Sequence, residues 1–448
     1  TYIVHNKFWR LHIHQKTKQG YFKLAPELEQ ALLSGSFPES IRLQFIRMLE
    51  YFGQRPIIVR SSSLQEDAFG NAFAGKYESV FCINSGTMDE RLTELENAVR
   101  TVYASTMNPS ALEYRRQRGL GFKDEQMALL IQRVSGSMYE NFLMPNAAGV
   151  GYSYSAYKWD DSIDASAGML RLVMGLGTRA VDRTEGDYPR IVNLSAPERS
   201  TLTESWAKHQ YSQRYVDLMD YTTKSLSSRP LKDVTPYMDS WYKKLVLEHD
   251  SDAERTFRER GQRREILFAS CEGLVRNTEF TGCMKSLLHT LQHAYQYPVD
   301  IEFTINGTDT GEFVFNLLQC RPLQVGTRRD AVTVPSLPED KTVFSVTGSS
   351  MGGSRAEDID YVVFVDSRAY YEFPYKRKPD IAHIIGDINH HFRKSNQNLL
   401  LFVPGRLGTS SPELGVPVSF AAINHVCAIC EMSDSEVGYM PELSYGSH

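Results

Sequence analysis

Residues 299–322 read VDIEFTINGTDTGEFVFNLLQCRP, two apolar runs joined by a link rich in turn-forming residues. This order predicts a β-hairpin, because Asn-Gly and similar pairs favour the tight turns between antiparallel strands. Apolar and polar residues alternate in the first run, so one strand face is apolar and the other presents Asp300 and Glu302. We expect these two carboxylates to lie roughly 7 Å apart.

The returning strand carries Gln319 and Arg321, which alternate onto one face. Two inward-facing acids need a counter-charge, and Mg²⁺ is one solution, since it takes hard oxygen ligands and is usually held by carboxylates together with phosphates. An amide oxygen can complete a metal shell, and an arginine can neutralise a transferring phosphoryl group. The alternative is an amphipathic edge hairpin with solvated acids, and the hairpin by itself leaves both interpretations open.

A second informative stretch, residues 55–83, reads RPIIVRSSSLQEDAFGNAFAGKYESVFCI. It predicts a buried strand ending near Arg60, a loop of small residues, and a second strand. Backbone amides of small residues can approach phosphates closely. The loop is not a P-loop, because Lys76 is followed by Tyr77. An ordinary hairpin loop is the alternative interpretation.

Composition limits the classes of function. The chain has 448 residues, of which 42% are hydrophobic and 23% charged, so we expect more than one globular domain. A net charge of -5 predicts no nucleic-acid partner. No apolar run approaches the roughly 20 residues of a membrane helix, so no membrane partner is expected. Six scattered cysteines favour a reducing, cytoplasmic location over a disulfide framework.

The pattern along the chain predicts an α+β protein with a smaller α/β domain at its end. Apolar periodicity predicts a helix over residues 38–53 and another after residue 90. Residues from about 201 to 295 are charged and poor in glycine, which predicts a helical insert. Residues 326–342 contain prolines and mixed charge and are the predicted linker, and residues 343–448 form the predicted α/β domain, of unknown role and expected to be truncated.

Five segments occur in the order found in one known family. They are RPIIVRSSSLQEDAFGNAFAGKYESVF, MALLIQRV, AGVGYSYS, RLVMGLGTRAVDRTEGDYPRIV and VDIEF…FNLLQCRP. Over roughly residues 40–325 the chain resembles the nucleotide-binding domain of the phosphoenolpyruvate synthase and pyruvate phosphate dikinase family. The resemblance implies an ATP-grasp-like clamp of two subdomains, residues 1–120 and 121–325. In that family a phosphoryl group passes from ATP to a histidine on a separate domain and then to pyruvate.

The resemblance also implies roles for individual residues. Two arginines would stabilise the phosphoryl group as catalytic residues, Arg60 and Arg321. Two side chains would bind Mg²⁺, Glu302 and Gln319. A loop over the phosphates of ATP would be formed by Phe73, Ala74, Gly75 and Lys76. Gln132 would lie on the strand beside the adenine. The hairpin carboxylate of Asp300 would also contact the nucleotide.

Several departures limit what the resemblance implies. The glycine-glycine-lysine segment that opens family members is absent, so we expect the first subdomain to be incomplete at its N-terminus. Thr178 follows GLG where relatives often have glutamate, and Lys76 stands where many have glutamine. None of the 12 histidines lies in a G-G-x-T-x-H motif. The phosphohistidine domain is therefore expected in a missing segment or in another chain.

Three hypotheses about function follow. The first is the ATP-binding part of a phosphoenolpyruvate synthase-like phosphotransferase that uses Mg·ATP. The second is a module that senses ATP without transferring phosphate, which the missing motifs favour. The third is the ATP-binding part of a dikinase for another acceptor, such as a glycan or an antibiotic. Whether the chain is an enzyme is open at this point.

Overall fold

The computed structural model describes most of the chain, in two compact units, Thr1–Val325 and Gly326–His448. The described residues are 1–63, 75–117, 119–123, 125–155, 163–181, 187–199, 208, 211–308, 310, 312–323, 338–345, 356–392, 397–409, 412–423 and 425–433.

The first unit begins with helices and a three-stranded antiparallel sheet of order β2-β1-β3. The elements are α1 (Tyr2–His5), α2 (Trp9–Gln15), α3 (Ala25–Ser34), α4 (Glu39–Phe52), β1 (Ile57–Ser63), β2 (Ser79–Cys82), α5 (Met88–Ala104), α6 (Pro109–Gln117) and β3 (Met127–Arg133). Helix α5 begins at a capping box in which Thr87 and Glu90 exchange hydrogen bonds. One sheet face packs its apolar residues on α3 and α5. Strand β3 pairs along the whole of β1, so this sheet continues past the predicted subdomain boundary at residue 120.

The rest of the first unit is built around a five-stranded antiparallel sheet of order β14-β13-β6-β7-β8. A four-stranded sheet, β10-β9-β5-β4, and a strand pair, β11-β12, accompany it. The strands are β4 (Ser137–Tyr139), β5 (Phe142–Met144), β6 (Ala147–Tyr152), β7 (Met169–Met174), β8 (Arg190–Asn193), β9 (Tyr215–Asp220), β10 (Ser225–Pro230), β11 (Leu247–His249), β12 (Leu267–Ala269), β13 (Val299–Gly307) and β14 (Phe313–Pro322). The helices are α7 (Thr178–Val181), α8 (Leu231–Val234), α9 (Ser240–Val246), α10 (Ser251–Glu259), α11 (Glu272–Val275) and α12 (Thr278–Tyr295).

The expectation of a helical insert over residues 201–295 is wrong for part of that segment, because β9 to β12 lie within it. The charged residues that suggested a helix are in part buried acids of a strand. Asp217 and Asp220 of β9 are 8% and 0% exposed and pair with Arg179 and Arg229. Strand β9 is buried on both faces, so it lacks the simple alternation that identifies strands in sequence.

The second unit contains a parallel three-stranded sheet of order β15-β16-β17. Its elements are β15 (Tyr361–Phe364), α13 (Ser367–Glu372), α14 (Lys378–His391), β16 (Leu399–Pro404) and β17 (Val426–Met432). Together the helices and sheets of the two units confirm the predicted mixed α and β class. In the described parts of both units, no helix has the length and apolar character to cross a bilayer.

The centre of the five-stranded sheet depends on one close approach. Gly149 of β6 lies opposite Phe303 of β13, and a Cβ on Gly149 would collide with the backbone oxygen of Arg171 and lie 2.9 Å from Cζ of Phe303. We expect Gly149→Ala to lower the free energy of unfolding by about 1–3 kcal/mol, the usual cost of overpacking. Gly282→Ala in α12 is the matched control, because a Cβ there meets nothing within 4 Å.

The control is expected to raise the free energy of unfolding by roughly 0.5–1 kcal/mol, since alanine favours a helix interior over glycine. Denaturant unfolding of both variants beside the wild-type protein measures the two effects. Shifts of the same sign in both variants would contradict the predicted close approach.

Candidate functional site

The predicted hairpin forms, as β13 paired antiparallel with β14. Val299, Ile301, Phe303 and Ile305 are buried in the core, while Asp300 and Glu302 are only partly buried, which confirms the predicted alternation. Register places Asp300 opposite Arg321 and Glu302 opposite Gln319. Cys320 lies opposite Ile301 among the residues packed on the core, and burial raises the pKa of its thiol.

Arg60 reaches the hairpin from the three-stranded sheet. Its Nη2 donates to Oε2 of Glu302 at 2.7 Å and to Oε1 of Gln319 at 2.6 Å. Strand β1 directs it there because Ile57 and Val59, which alternate with it, are buried in the core on the other face. Glu302 and Gln319, which follow Arg60 by 242 and 259 residues in the sequence, therefore meet at one nitrogen of its guanidinium group.

Arg321 neutralises the second carboxylate of the hairpin. Its Nε donates to Oδ1 of Asp300 at 2.7 Å, and its Nη2 lies 3.9 Å from Oε1 of Glu302. The side chains of the two ion pairs, Arg60–Glu302 and Arg321–Asp300, are 13–16% exposed. We call the five side chains the arginine–carboxylate cluster, formed by Arg60, Asp300, Glu302, Gln319 and Arg321. With two guanidinium groups and two carboxylates, the cluster is balanced in charge without a metal.

Gln132 provides a second contact between the two sheets. It lies opposite Ile58 in the pairing of β3 with β1, and its Nε2 donates to the carbonyl oxygen of Leu318 at 3.3 Å. Leu318 is the extra residue at a register shift in the hairpin, where Glu302 faces Gln319 but Phe303 faces Leu317. At this irregularity the carbonyl oxygen of Leu318 accepts a hydrogen bond from a side chain of the other sheet, beside the cluster.

Two of the four predicted loop residues, Phe73 and Ala74, lie outside the described residues. Gly75 has a φ of +70°, the left-handed region that glycine adopts readily. Lys76 is partly buried, and none of the described contacts joins it to the arginine–carboxylate cluster. The role predicted for the loop therefore stays a prediction.

The oxygens predicted to hold Mg²⁺ converge on one point. Oε2 of Glu302 and Oε1 of Gln319 accept hydrogen bonds from the same nitrogen of Arg60. A carboxylate and an amide oxygen suit Mg²⁺, which binds oxygens at roughly 2.0–2.1 Å. Both oxygens are thus of the type that Mg²⁺ binds, and in the structure they accept hydrogen bonds from Arg60. Within the described ranges, no group of three or more His, Cys, Asp or Glu residues is arranged to hold a metal by itself.

A buried network that the sequence did not predict lies after the GLG turn. Thr178 Oγ1 donates to Oδ2 of Asp217 at 2.6 Å, and Arg179 Nε donates to its Oδ1 at 2.9 Å. Arg179 also pairs with Asp187, where burial raises the pKa of the carboxyl group despite the neighbouring arginine and amide donors. The only signal in the sequence was the departure at Thr178, whose hydroxyl is engaged in this network.

One protein-family model matches most of the chain. The family model described as pyruvate phosphate dikinase, AMP/ATP-binding domain, matches residues 6–341, about three quarters of the chain. No curated protein matches the chain. The match encloses residues 40–325, over which the sequence resembles this family, and confirms that resemblance. The chain thus belongs to the pyruvate phosphate dikinase AMP/ATP-binding domain family, and residues 6–341 are the ATP-binding part of a dikinase-type phosphotransferase.

Proposed function

We propose that the first unit is an ATP-grasp-like clamp that binds Mg·ATP at the arginine–carboxylate cluster and passes a phosphoryl group toward a histidine on another domain. The observation that carries the proposal is the convergence of the Glu302 and Gln319 oxygens on one cationic nitrogen of Arg60. That position lies between two sheets, in a chain whose family binds AMP or ATP. A cation and phosphates are the ligands that this donor set suits.

Each side chain has a separate part in the proposal. Glu302 and Gln319 hold the metal, which when bound supplies positive charge to the phosphate oxygens. Arg60 leaves these two oxygens and donates to a phosphate instead. Arg321 keeps its hydrogen bond to Asp300, which orients the guanidinium toward developing negative charge. Gln132 lies on the strand proposed to follow the adenine.

The exchange of partners by Arg60 costs little. Its Nη2 makes two charge-assisted hydrogen bonds in the cluster, and a phosphate offers acceptors of the same kind. The vacated carboxylate is then compensated by the divalent ion instead of the guanidinium. Because the cluster is already balanced in charge, neither a lone nucleotide nor a lone metal ion is strongly favoured, and the two ligands bind best together.

A second candidate, ATP binding without phosphoryl transfer, is favoured by one observation. Thr178 takes the place where relatives often have a glutamate, and its hydroxyl is bound to Asp217 in the buried network. This position therefore supplies no carboxylate to the chemistry. The arginine–carboxylate cluster itself supports either function.

We predict that Arg60→Ala weakens Mg·ATP binding about threefold to tenfold, because the loss of a hydrogen bond between charged groups, about 1.5–3 kcal/mol, is partly offset by the two bonds that Arg60 gives up in the cluster. Calorimetric titration of ATP, with and without Mg²⁺, measures the effect. Arg42→Ala is a matched control, since Arg42 pairs with Glu96 on neighbouring helices and lies outside the cluster. Equal affinities in wild type and Arg60→Ala would contradict the proposed site.

We predict the opposite effect of Arg60 on metal binding without nucleotide. Arg60→Met removes the two hydrogen bonds to Glu302 and Gln319 and leaves the cluster with a net negative charge, so Mn²⁺ should bind several-fold more tightly than to wild type. Electron paramagnetic resonance of free Mn²⁺ measures this binding without nucleotide, and Arg42→Met is the control. Unchanged or weaker Mn²⁺ binding in Arg60→Met would remove Glu302 and Gln319 as metal ligands.

Product analysis separates the two candidate functions. For a transfer-competent site we expect slow hydrolysis of ATP by the wild-type chain in Mg²⁺, because water can replace the absent acceptor, and we expect Arg60→Ala to abolish it. Chromatography of the nucleotides and release of phosphate measure the reaction. Recovery of intact ATP from a chain that binds Mg·ATP would instead favour the binding-only module.

A further inference from the structure

Glu125, which precedes β3, accepts hydrogen bonds from two segments that lie far from it in the sequence. Its Oε1 accepts a hydrogen bond from Oγ of Ser63, and its Oε2 accepts one from the hydroxyl of Tyr77 at 2.6 Å. Nη1 of Arg115 lies 3.5 Å from the same Oε2. The Glu125 side chain is 5% exposed, so hydrogen bonds from these protein donors must replace the hydrogen bonds to water that the carboxylate loses on burial.

Two of these donors lie near residues proposed to contact phosphate. Ser63 is the last residue of β1, the strand that carries Arg60. Tyr77 directly follows Lys76 in the chain. One carboxylate thus joins the end of the Arg60 strand to the residue that follows Lys76.

The support behind Glu125 is rigid. Arg115 on α6 is 5% exposed and also donates to the carbonyl oxygen of Thr106. Tyr77 is 7% exposed and packs against Ala111 of the same helix and against Met127. Charge-assisted hydrogen bonds between buried groups are stronger and more directional than neutral ones, so the carboxylate is fixed relative to α6.

We propose that Glu125 is a positioning residue for the nucleotide phosphates, acting through Ser63 on Arg60 and through Tyr77 on Lys76. The proposal rests on the proposed function, since it requires that Arg60 and Lys76 contact the phosphates of ATP. Glu125 itself touches neither cation in the described contacts. Its effect is therefore on the placement of the two donors rather than on chemistry.

The test removes one hydroxyl and leaves the buried ion pair intact. Glu125→Ala would strand the Arg115 charge and could unfold the chain, so Tyr77→Phe is the variant of choice. Tyr21→Phe is the matched control, because the Tyr21 hydroxyl donates to the carbonyl of Leu112 on α6 at 3.1 Å and interacts with Arg115, but donates no described hydrogen bond to Glu125. Calorimetry measures the affinity of each protein for ATP and for AMP, in Mg²⁺.

We expect Tyr77→Phe to weaken ATP binding about fivefold to tenfold, which is the effect of losing about one charge-assisted hydrogen bond. We expect the affinity for AMP to change less than about twofold. Tyr21→Phe is expected to leave the ratio of the two affinities unchanged. In Lys76→Ala, adding Tyr77→Phe should have little further effect, because residues that act through one another are not additive.

The outcomes separate the two levels of the proposal. If wild type binds ATP and Arg60→Ala binds it more weakly, but Tyr77→Phe behaves as Tyr21→Phe does, the positioning role is wrong and the site stands. Full additivity of Lys76→Ala and Tyr77→Phe in ATP binding also overturns the positioning role. If wild type binds no ATP at millimolar concentration, the proposed function and the positioning role fall together.

Discussion

The contact of Arg60 with Glu302 and Gln319 is the interaction on which the site depends. It joins β1 of the three-stranded sheet to the β13–β14 hairpin of the five-stranded sheet. A guanidinium that is largely withdrawn from water needs a partner, and removing one member of such a pair leaves an uncompensated charge. The cluster therefore depends on the packing of the two sheets against each other, and its hydrogen bonds join them at this point.

The core of the five-stranded sheet determines which residues the hairpin presents. Phe303 and Ile301 fill the space that Gly149 and Gly151 leave on β6, so β13 has one register in which its apolar face is buried. Because side chains alternate along a strand, a shift of one residue would turn Asp300 and Glu302 into the core. Core packing on one face of β13 thus determines that Asp300 and Glu302 lie on the opposite face.

Two arginines compensate the two carboxylates of the hairpin. The sequence suggested a divalent metal as the counter-charge, and the structure shows that Arg60 pairs with Glu302 and Arg321 with Asp300. The guanidinium of Arg60, which lies between Glu302 and Gln319, is the group that we propose to contact a phosphate. Glu125 accepts hydrogen bonds from Ser63 and Tyr77, and we propose that it positions Arg60 and Lys76 through them.

Local sequence patterns were enough to predict the hairpin, its two faces, a strand that carries Arg60, and membership of the dikinase nucleotide-binding family. These depend on alternation and on motifs that lie within a few residues of each other. Only the tertiary structure decided that Arg60 binds Glu302 and Gln319, that β3 completes the first sheet, and that acids near residue 217 lie in a buried strand. Such pairings depend on how separate sheets and helices pack, and no local pattern records which distant charge a buried side chain will meet.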